Sequence, residues 1–453
     1  MSLYPGRWMQ VNLALVAGVT SVENFSTPLF ITPDSAAPST VTFYTSASSL
    51  PAGVGATLLG AVNAALAQRT KGPALNRFAV VKQLADVAQV DTIVIPATPG
   101  TGTYTYTQAG VTITVDSDPA LTQTQLRDAY ISQINADSTL GALVTAASSG
   151  NNVTITSDVA GTPFTGTVGG TASAAAAAVS ISTTTANRSI ATQLATWAVT
   201  PGWYAAIPVG AAAYAVSDLT ISRLNAAVAL LTRKIGMVQT AAAECVDAGD
   251  NTDPMSVAQA ADYDTAFLLY EATNKPTVAG AAGRWLSYSF ETALASPQRM
   301  ELAGNTPDSS YGDAEVAAVT GKGGNIYPNV YGAGGAIADG RMASGVAARI
   351  IRGVHWLDNE LEVRLFELFY KRANMGKPIV NVQADLEAIG GVIRSVLAQA
   401  TRIGLFKTAP ELGVPKSSEL NADDVAAGTL TGFTFNGARA DEFITMVLNG
   451  YIE

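Results

Sequence analysis

Between Gln89 and Asn187 the chain carries no lysine, no glutamate and a single arginine, Arg127, against six aspartates at 91, 116, 118, 128, 137 and 158. Lysine and glutamate return in quantity only after Thr232. A composition that shifts this sharply and then shifts back predicts a separately folded unit set into another one. Within it the runs DTIVI from Asp91, TYTYT from Thr103, VTITV from Val111, NVTITS from Asn152 and VSIST from Val179 alternate between Gly and Pro turns. That period of two is the signature of short strands with one buried face. The expected insert, residues 88–188, is therefore all-β, sandwich or barrel-like, with one helix near Thr122 to Asn135. The low-complexity run from Gly169 reads as a flexible connector, with a helical turn open at Ala174 to Ala178.

On either side the period changes. Before the insert the pattern predicts strands at Pro28 to Ile31 and Val41 to Tyr44, a helix through Leu58, Leu59, Val62 and Leu66, and a strand at Arg77 to Lys82. After it, strands at Trp203 to Val209, Gly236 to Thr240 and Thr265 to Tyr270 alternate with helices over Asp218 to Lys234, from Pro254, and near Val278 to Ser289. Such alternation predicts an α/β (α+β) core, helices packed on a mixed sheet. Asp253 is placed to cap the helix opened by Pro254, a position where the missing N–H costs nothing. The uncharged stretch Ser189 to Ser217 is long enough to cross a bilayer, but Pro201 and Pro208 break it, and a buried strand with its loops is expected instead.

The last third is helical. Ile350, Val354, Leu357, Leu361, Leu365 and Leu368 place an apolar stripe on a helix from Gly345 to Arg372. A second stripe follows through Leu386, Ile389, Ile393, Leu397 and Ile403 to a stop at Gly404. Residues 341–372 hold ten charged side chains, although only 14% of the chain is charged. Charge is thus concentrated on one helix.

The balance of 26 basic against 36 acidic residues gives a net charge of −10, the wrong sign for gripping a phosphate backbone, so no nucleic-acid partner is expected. One cysteine, Cys245, and one histidine, His355, remove an internal disulfide and any site needing two imidazoles. Gly321-Lys322-Gly323-Gly324 imitates a phosphate loop, but residue 316 is Val and no Ser or Thr follows Lys322. No G-x-G-x-x-G or G-x-S-x-G string occurs. Asp116 and Asp118 lack the further spaced ligands that calcium requires. His355 reads as a surface or half-buried helical residue and Cys245 as a small packed one. No enzyme, cofactor or metal is expected.

Both ends look adhesive. Phe443, Ile444, Met446, Val447 and Leu448 make the last strand apolar on both faces, and Val11, Leu13 and Leu15 alternate as a strand near the start. Arg7 with the run that follows imitates a leader peptide, yet Asn12 interrupts it. Two such strands can link subunits by strand exchange. They can also pair within their own core sheet, which the pattern alone favours, although the residues leave both open. A secreted β-rich adhesin or surface-layer protein would also suit the Thr-rich insert.

Several blocks carry a resemblance: VNLALV, then NFSTPLFI, GWYAAIPV, DYDTAFLLYE, then NIYPNVYGAGGAIADGRMASG running into RIIRGVHWLDNELEVRLFELF, and TGFTFNGARADEFITMVLNGYIE. From Val11 to Ile452, the insert apart, the chain resembles contractile tail sheath proteins of bacteriophages. Its most specific features are the turn Gly340 to Gly345 and the helix motif Arg352, Gly353, Trp356 and Leu357. The resemblance implies a linking arm at 1–20, a sheath core at 21–87 and 189–440 interrupted by the insert 88–188, and a second linking arm at 441–453. It also implies stacked hexameric rings around a tail tube, with tube, baseplate and tail terminator proteins as partners. Assembly would take place in a host bacterial cytoplasm, without membrane insertion, and contraction would drive the tube through an envelope. The related sheath of a phage-derived bacteriocin or other injection system fits equally. By the same resemblance the basic side chains Arg349, Arg352, Lys371, Arg372 and Lys377 are expected to face an acidic tube.

Overall fold

The computed structural model describes residues 24–172, 178–291, 294–330, 334–427 and 429–440. The expected arm residues Val11, Leu13, Leu15, Phe443, Ile444, Met446, Val447 and Leu448 lie outside them, as do residues 173–177 of the low-complexity run. The chain divides into two compact units, one from within 1–82 and 197–453, the other Gln83–Thr196.

The first unit is built on a seven-stranded sheet in the order Asn325–Ile326, Ala266–Tyr270, Ile235–Thr240, Ala205–Pro208, Pro28–Thr32, Phe78–Lys82, Thr42–Tyr44. All neighbours run parallel except the edge pair Thr42–Tyr44 with Phe78–Lys82, so the sheet is mixed. Pro28–Thr32, Ala205–Pro208, Ile235–Thr240 and Ala266–Tyr270 are buried along their whole length. That burial is what a parallel sheet covered on both faces demands, and it is why these strands read as continuous apolar runs. Among the covering helices, Ala56–Ala67 and Thr277–Leu286 approach so closely that a Cβ on Gly283 would stand 2.3 Å from the carbonyl oxygen of Ala65. Only glycine leaves room for that crossing.

The uncharged stretch Ser189 to Ser217 departs from its expectation, because it holds a helix, Ile190–Ala198, as well as the strand Ala205–Pro208. Ile190, Leu194 and Trp197 are buried at helical spacing. Two elements that the alternation did not mark are the helix Asp313–Gly321 and the two-residue edge strand Asn325–Ile326.

The C-terminal part carries the long helix Ala348–Asn374 and a second helix, Gln383–Arg402, packed against one another through Leu357, Leu361 and Leu365 and through Ile389, Ile393 and Leu397. Gly404 ends the second helix at φ +87°, the left-handed stop that glycine supplies without a Cβ penalty. Beyond it, Glu411–Gly413 pairs antiparallel with Thr434–Asn436.

The Gln83–Thr196 unit has two antiparallel sheets, one of four strands (Ser180–Thr185, Val90–Val94, Asn152–Ser157, Val144–Ser149) and one of three (Val111–Asp116, Thr103–Gln108, Gly166–Gly170). Tyr104 and Tyr106 alternate inward with Ile113 and Val115 as the period of two requires. The helix Gln123–Ala136, started by a Thr122–Gln125 capping box, adds Leu126, Tyr130 and Ile134 to the same core. The helix expected near Thr122 to Asn135 is thus present as Gln123–Ala136, and because it helps to close this core the unit is α+β rather than purely β.

Candidate functional site

The first turns of the long helix organise a densely bonded polar site in the first unit. Arg352 is 1% exposed, and the groups it bonds among the described residues are backbone carbonyls. Its Nη1 donates to the Trp285 carbonyl at 3.0 Å, and Nη2 lies within hydrogen-bond reach of the Leu286, Tyr288 and Phe25 carbonyls at 3.1, 3.0 and 3.2 Å. Trp285 and Leu286 end the helix Thr277–Leu286, where orphan carbonyls and the negative end of the helix dipole favour a cation. The guanidinium carbon also sits 4.6 Å from the Phe290 ring centre and 5.6 Å from that of Trp285. Burial lowers this arginine to about 10, so it remains a cation at neutral pH.

Phe25 anchors the beginning of the described chain in an aromatic cluster, edge-on to Tyr204 at 5.2 Å and to Phe290 at 5.8 Å, with Phe290 stacked on Trp356 at 5.5 Å. One turn before Arg352, Arg349 is 6% exposed and donates to the carbonyls of Gly404, at 3.0 Å, and Ala440. Ala440 is held further by its own N–H to the Leu405 carbonyl, 3.1 Å. Two of the five side chains expected to face a tube, Arg349 and Arg352, are therefore corrected: both guanidiniums point into the core and are engaged by backbone carbonyls. The other three surround the turn between the two helices. Lys371 is exposed and 3.5 Å from Glu367, Lys377 is exposed, and Arg372 is half-buried in a pair with Asp385. Tyr370, Met375, Val380 and Val382 are exposed around the same turn.

His355 is half-buried with Nδ1 3.0 Å from the Tyr204 hydroxyl. Burial, aided by the nearby Arg233 and Lys234 cations, holds its imidazole down at about 3. Those cations are themselves engaged: Arg233 pairs with Asp358 and Glu362, each at 2.5 Å, and Lys234 donates to the Trp203 carbonyl at 2.7 Å. A depressed histidine contributes stability above its unfolded value of about 6.5 and loses it as pH falls towards 3. His355→Gln should therefore remove on the order of 3 kcal/mol of the stability lost between pH 7 and pH 4. Urea titrations at the two pH values check it, and equal losses in both proteins would contradict it.

A cleft of about 760 Å³, lined by Phe25, Arg77, Gly202, Phe290, Trp356 and Arg364 among others, opens at the amino ends of the strands Pro28–Thr32, Phe78–Lys82 and Ala205–Pro208. Open α/β sheets take small ligands at the opposite, carboxyl ends. There, beyond Ile235–Thr240, the polar groups are closed on one another. Lys322 pairs with Asp253 at 2.9 Å and donates to the Glu244 carbonyl at 2.6 Å. Asp253 also caps the helix Pro254–Ala260 through the Met255 and Ser256 amides. Burial opposes ionisation of Asp253, but bonds from Lys322 and Ser256 outweigh it and hold the carboxyl low. Cys245 is buried 3.5 Å from Asp253 and its thiol is pushed up to about 12, which leaves it protonated and unreactive. Among the described residues, no group of three or more His, Cys, Asp or Glu is placed to hold a metal ion, and no helix is long and apolar enough to cross a membrane.

No protein-family model matches the chain, and no curated protein matches it by sequence. Solved structures do. A chain of the anti-feeding prophage baseplate, resolved by cryo-electron microscopy, superposes with a TM-score of 0.54 at 11% identity, all of both chains being covered. The sheath tail protein Lin1278 from Listeria innocua gives 0.46 at 13% identity over 92% of each chain. The PVC sheath complex of an extracellular contractile injection system, in its contracted state, gives 0.48 at 11% identity over 100% of this chain and 98% of that one. With a superposition that runs from end to end of both chains, this chain has the fold of that anti-feeding prophage baseplate chain, and its sequence blocks resemble those of tail sheath proteins.

Proposed function

We propose that this chain is the polymerising subunit of a contractile sheath, stacking as hexameric rings around a tail tube and contracting to drive that tube through a bacterial envelope. The observation that carries the reading is the full-length superposition on the anti-feeding prophage baseplate chain, with neither chain left over. Residues 1–20 and 441–453 serve as the arms that join neighbouring subunits, and the inserted unit decorates the outside of the sleeve. Baseplate and terminator proteins cap its two ends. A phage tail and a phage-derived bacteriocin or other injection system are both served by such a sleeve; the likeness to an anti-feeding prophage chain favours the second. Negative-stain imaging of the purified full chain tests the proposal: helical tubes or sleeves are expected, and dispersed monomers at every salt and protein concentration would overturn it.

The turn between the two C-terminal helices is the part we assign to the tube, with Lys371, Arg372 and Lys377 as its cations. Exposed ion pairs are worth about 0.2–1 kcal/mol each and are screened by salt, but every subunit of a sleeve repeats them. Joint Lys371→Glu and Lys377→Glu substitution should leave the monomer folded and weaken assembly on the tube at low salt, with little further effect at high salt. Co-sedimentation with purified tubes measures this, and undiminished binding at low salt would remove these lysines from the interface.

A further inference from the structure

The two arginines that proved interior hold different ends of the chain. Arg352 takes the Phe25 carbonyl, next to the first described residue, and Arg349 takes the Ala440 carbonyl, at the last. They stand three residues apart on one helix, hence on neighbouring positions of one face. Between these grips the packing is continuous. Gly353 lets the helix approach Leu294 and Leu405 so closely that a Cβ would lie 2.8 Å from a methyl of each. Leu405 in turn accepts the Ala440 amide, Leu294 donates to the Ile403 carbonyl at 2.9 Å, and Phe406 bridges to Arg439. At the other grip, Arg352 binds the carbonyls of residues 285, 286 and 288, which lead directly to Phe290, the ring against Phe25.

We propose that Arg349 and Arg352 form one shared anchor, so that loosening either terminal segment at its root is transmitted to the other through the first turns of the long helix. This rests on the reading of those segments as arms between subunits, and it deepens that reading by naming where an arm's displacement enters the core. A lysine cannot reproduce either grip, because its compact ammonium lacks the planar fork that reaches several carbonyls at once. Both arginines act as positioning residues: neither need touch a neighbouring subunit.

The test is amide hydrogen exchange of the full chain at two sites in Arg352→Lys and, separately, Arg349→Lys. The Tyr204 amide, bonded to the Thr27 carbonyl at 2.8 Å, reports the N-terminal root, and the Ala440 amide reports the C-terminal one. Loss of one charge-assisted bond corresponds to about tenfold or more in a local opening equilibrium. Each variant is expected to accelerate exchange by that factor at both reporters. Acceleration confined to the nearer reporter, or none at either, overturns the shared anchor. Should Arg352→Lys fail to fold, Arg349→Lys decides alone, through the distant Tyr204 amide. Sleeve formation by the unmodified chain is scored in parallel: its absence would defeat the sheath reading and leave the exchange result standing on its own.

Discussion

Replacing Arg352 with methionine is expected to lower the unfolding free energy by about 3 kcal/mol or more, among the largest effects a single substitution can have in this chain. Two effects oppose one another. The buried guanidinium sits at about 10 rather than its ordinary 12.5, which corresponds to about 3 kcal/mol of charge-burial cost that methionine would relieve. Against this, the Trp285, Leu286, Tyr288 and Phe25 carbonyls lose their shared donor. Charge-assisted bonds contribute about 1.5–3 kcal/mol each, and a stranded buried acceptor costs about 1–3 kcal/mol. Exchanging a buried charge for an apolar side chain is harmless only when its partners are exchanged too, and backbone carbonyls cannot be. Loss of bonds therefore wins. A urea midpoint corresponding to less than about 1 kcal/mol of destabilisation would show that water or a rearranged side chain satisfies those carbonyls.

The same arginine shows where the sequence was readable and where it was not. Strand and helix placement around the sheet followed from period alone, because parallel strands buried on both faces leave uninterrupted apolar runs such as Ala266–Tyr270 and because Asp253–Pro254 announces a helix start. Short elements without a period of their own, such as Asn325–Ile326, left no such mark. The direction of Arg349 and Arg352 was misjudged because charge on a helix is normally solvated. A local signal was nevertheless present. Gly353 and Trp356, each four residues after one of the arginines, lie on the same helix face and are buried, so that face had to pack closely and its cations had to find acceptors inside. What the sequence could not supply was the identity of those acceptors, since Phe25, the residues from Trp285 to Tyr288, Gly404 and Ala440 come from remote parts of the chain. Phe25, Tyr204 and Phe290 went unremarked for the same reason: nothing local says that three separated aromatics pack on one another, with Phe290 against the guanidinium.

A chain ending at Asp441 is expected to be a folded, soluble monomer that forms no sleeves. All seven strands of the central sheet fall between residues 28 and 326, and the bonds from Arg349 to Ala440 and from Ala440 to Leu405 are retained, so the truncation leaves the sheet and this anchorage of the C-terminal segment in place. What it removes is Phe443, Ile444, Met446, Val447 and Leu448. Burying those five in a neighbour would contribute about 1.5–3 kcal/mol each, roughly 7–15 kcal/mol as an upper bound before the cost of ordering the segment and of association. An interaction of that size at every subunit decides between a lattice and dispersed monomers, whereas exposed ion pairs worth less than about 1 kcal/mol each would only tune it. Circular dichroism and sedimentation separate the outcomes. Unfolding would mean that the strand completes its own subunit's core, and sleeves as long and as stable as those of the full chain would mean that subunits are joined elsewhere. A folded monomer that regains no polymer even at low salt would place the connection in those last residues and leave the paired arginines as the point where it meets the core.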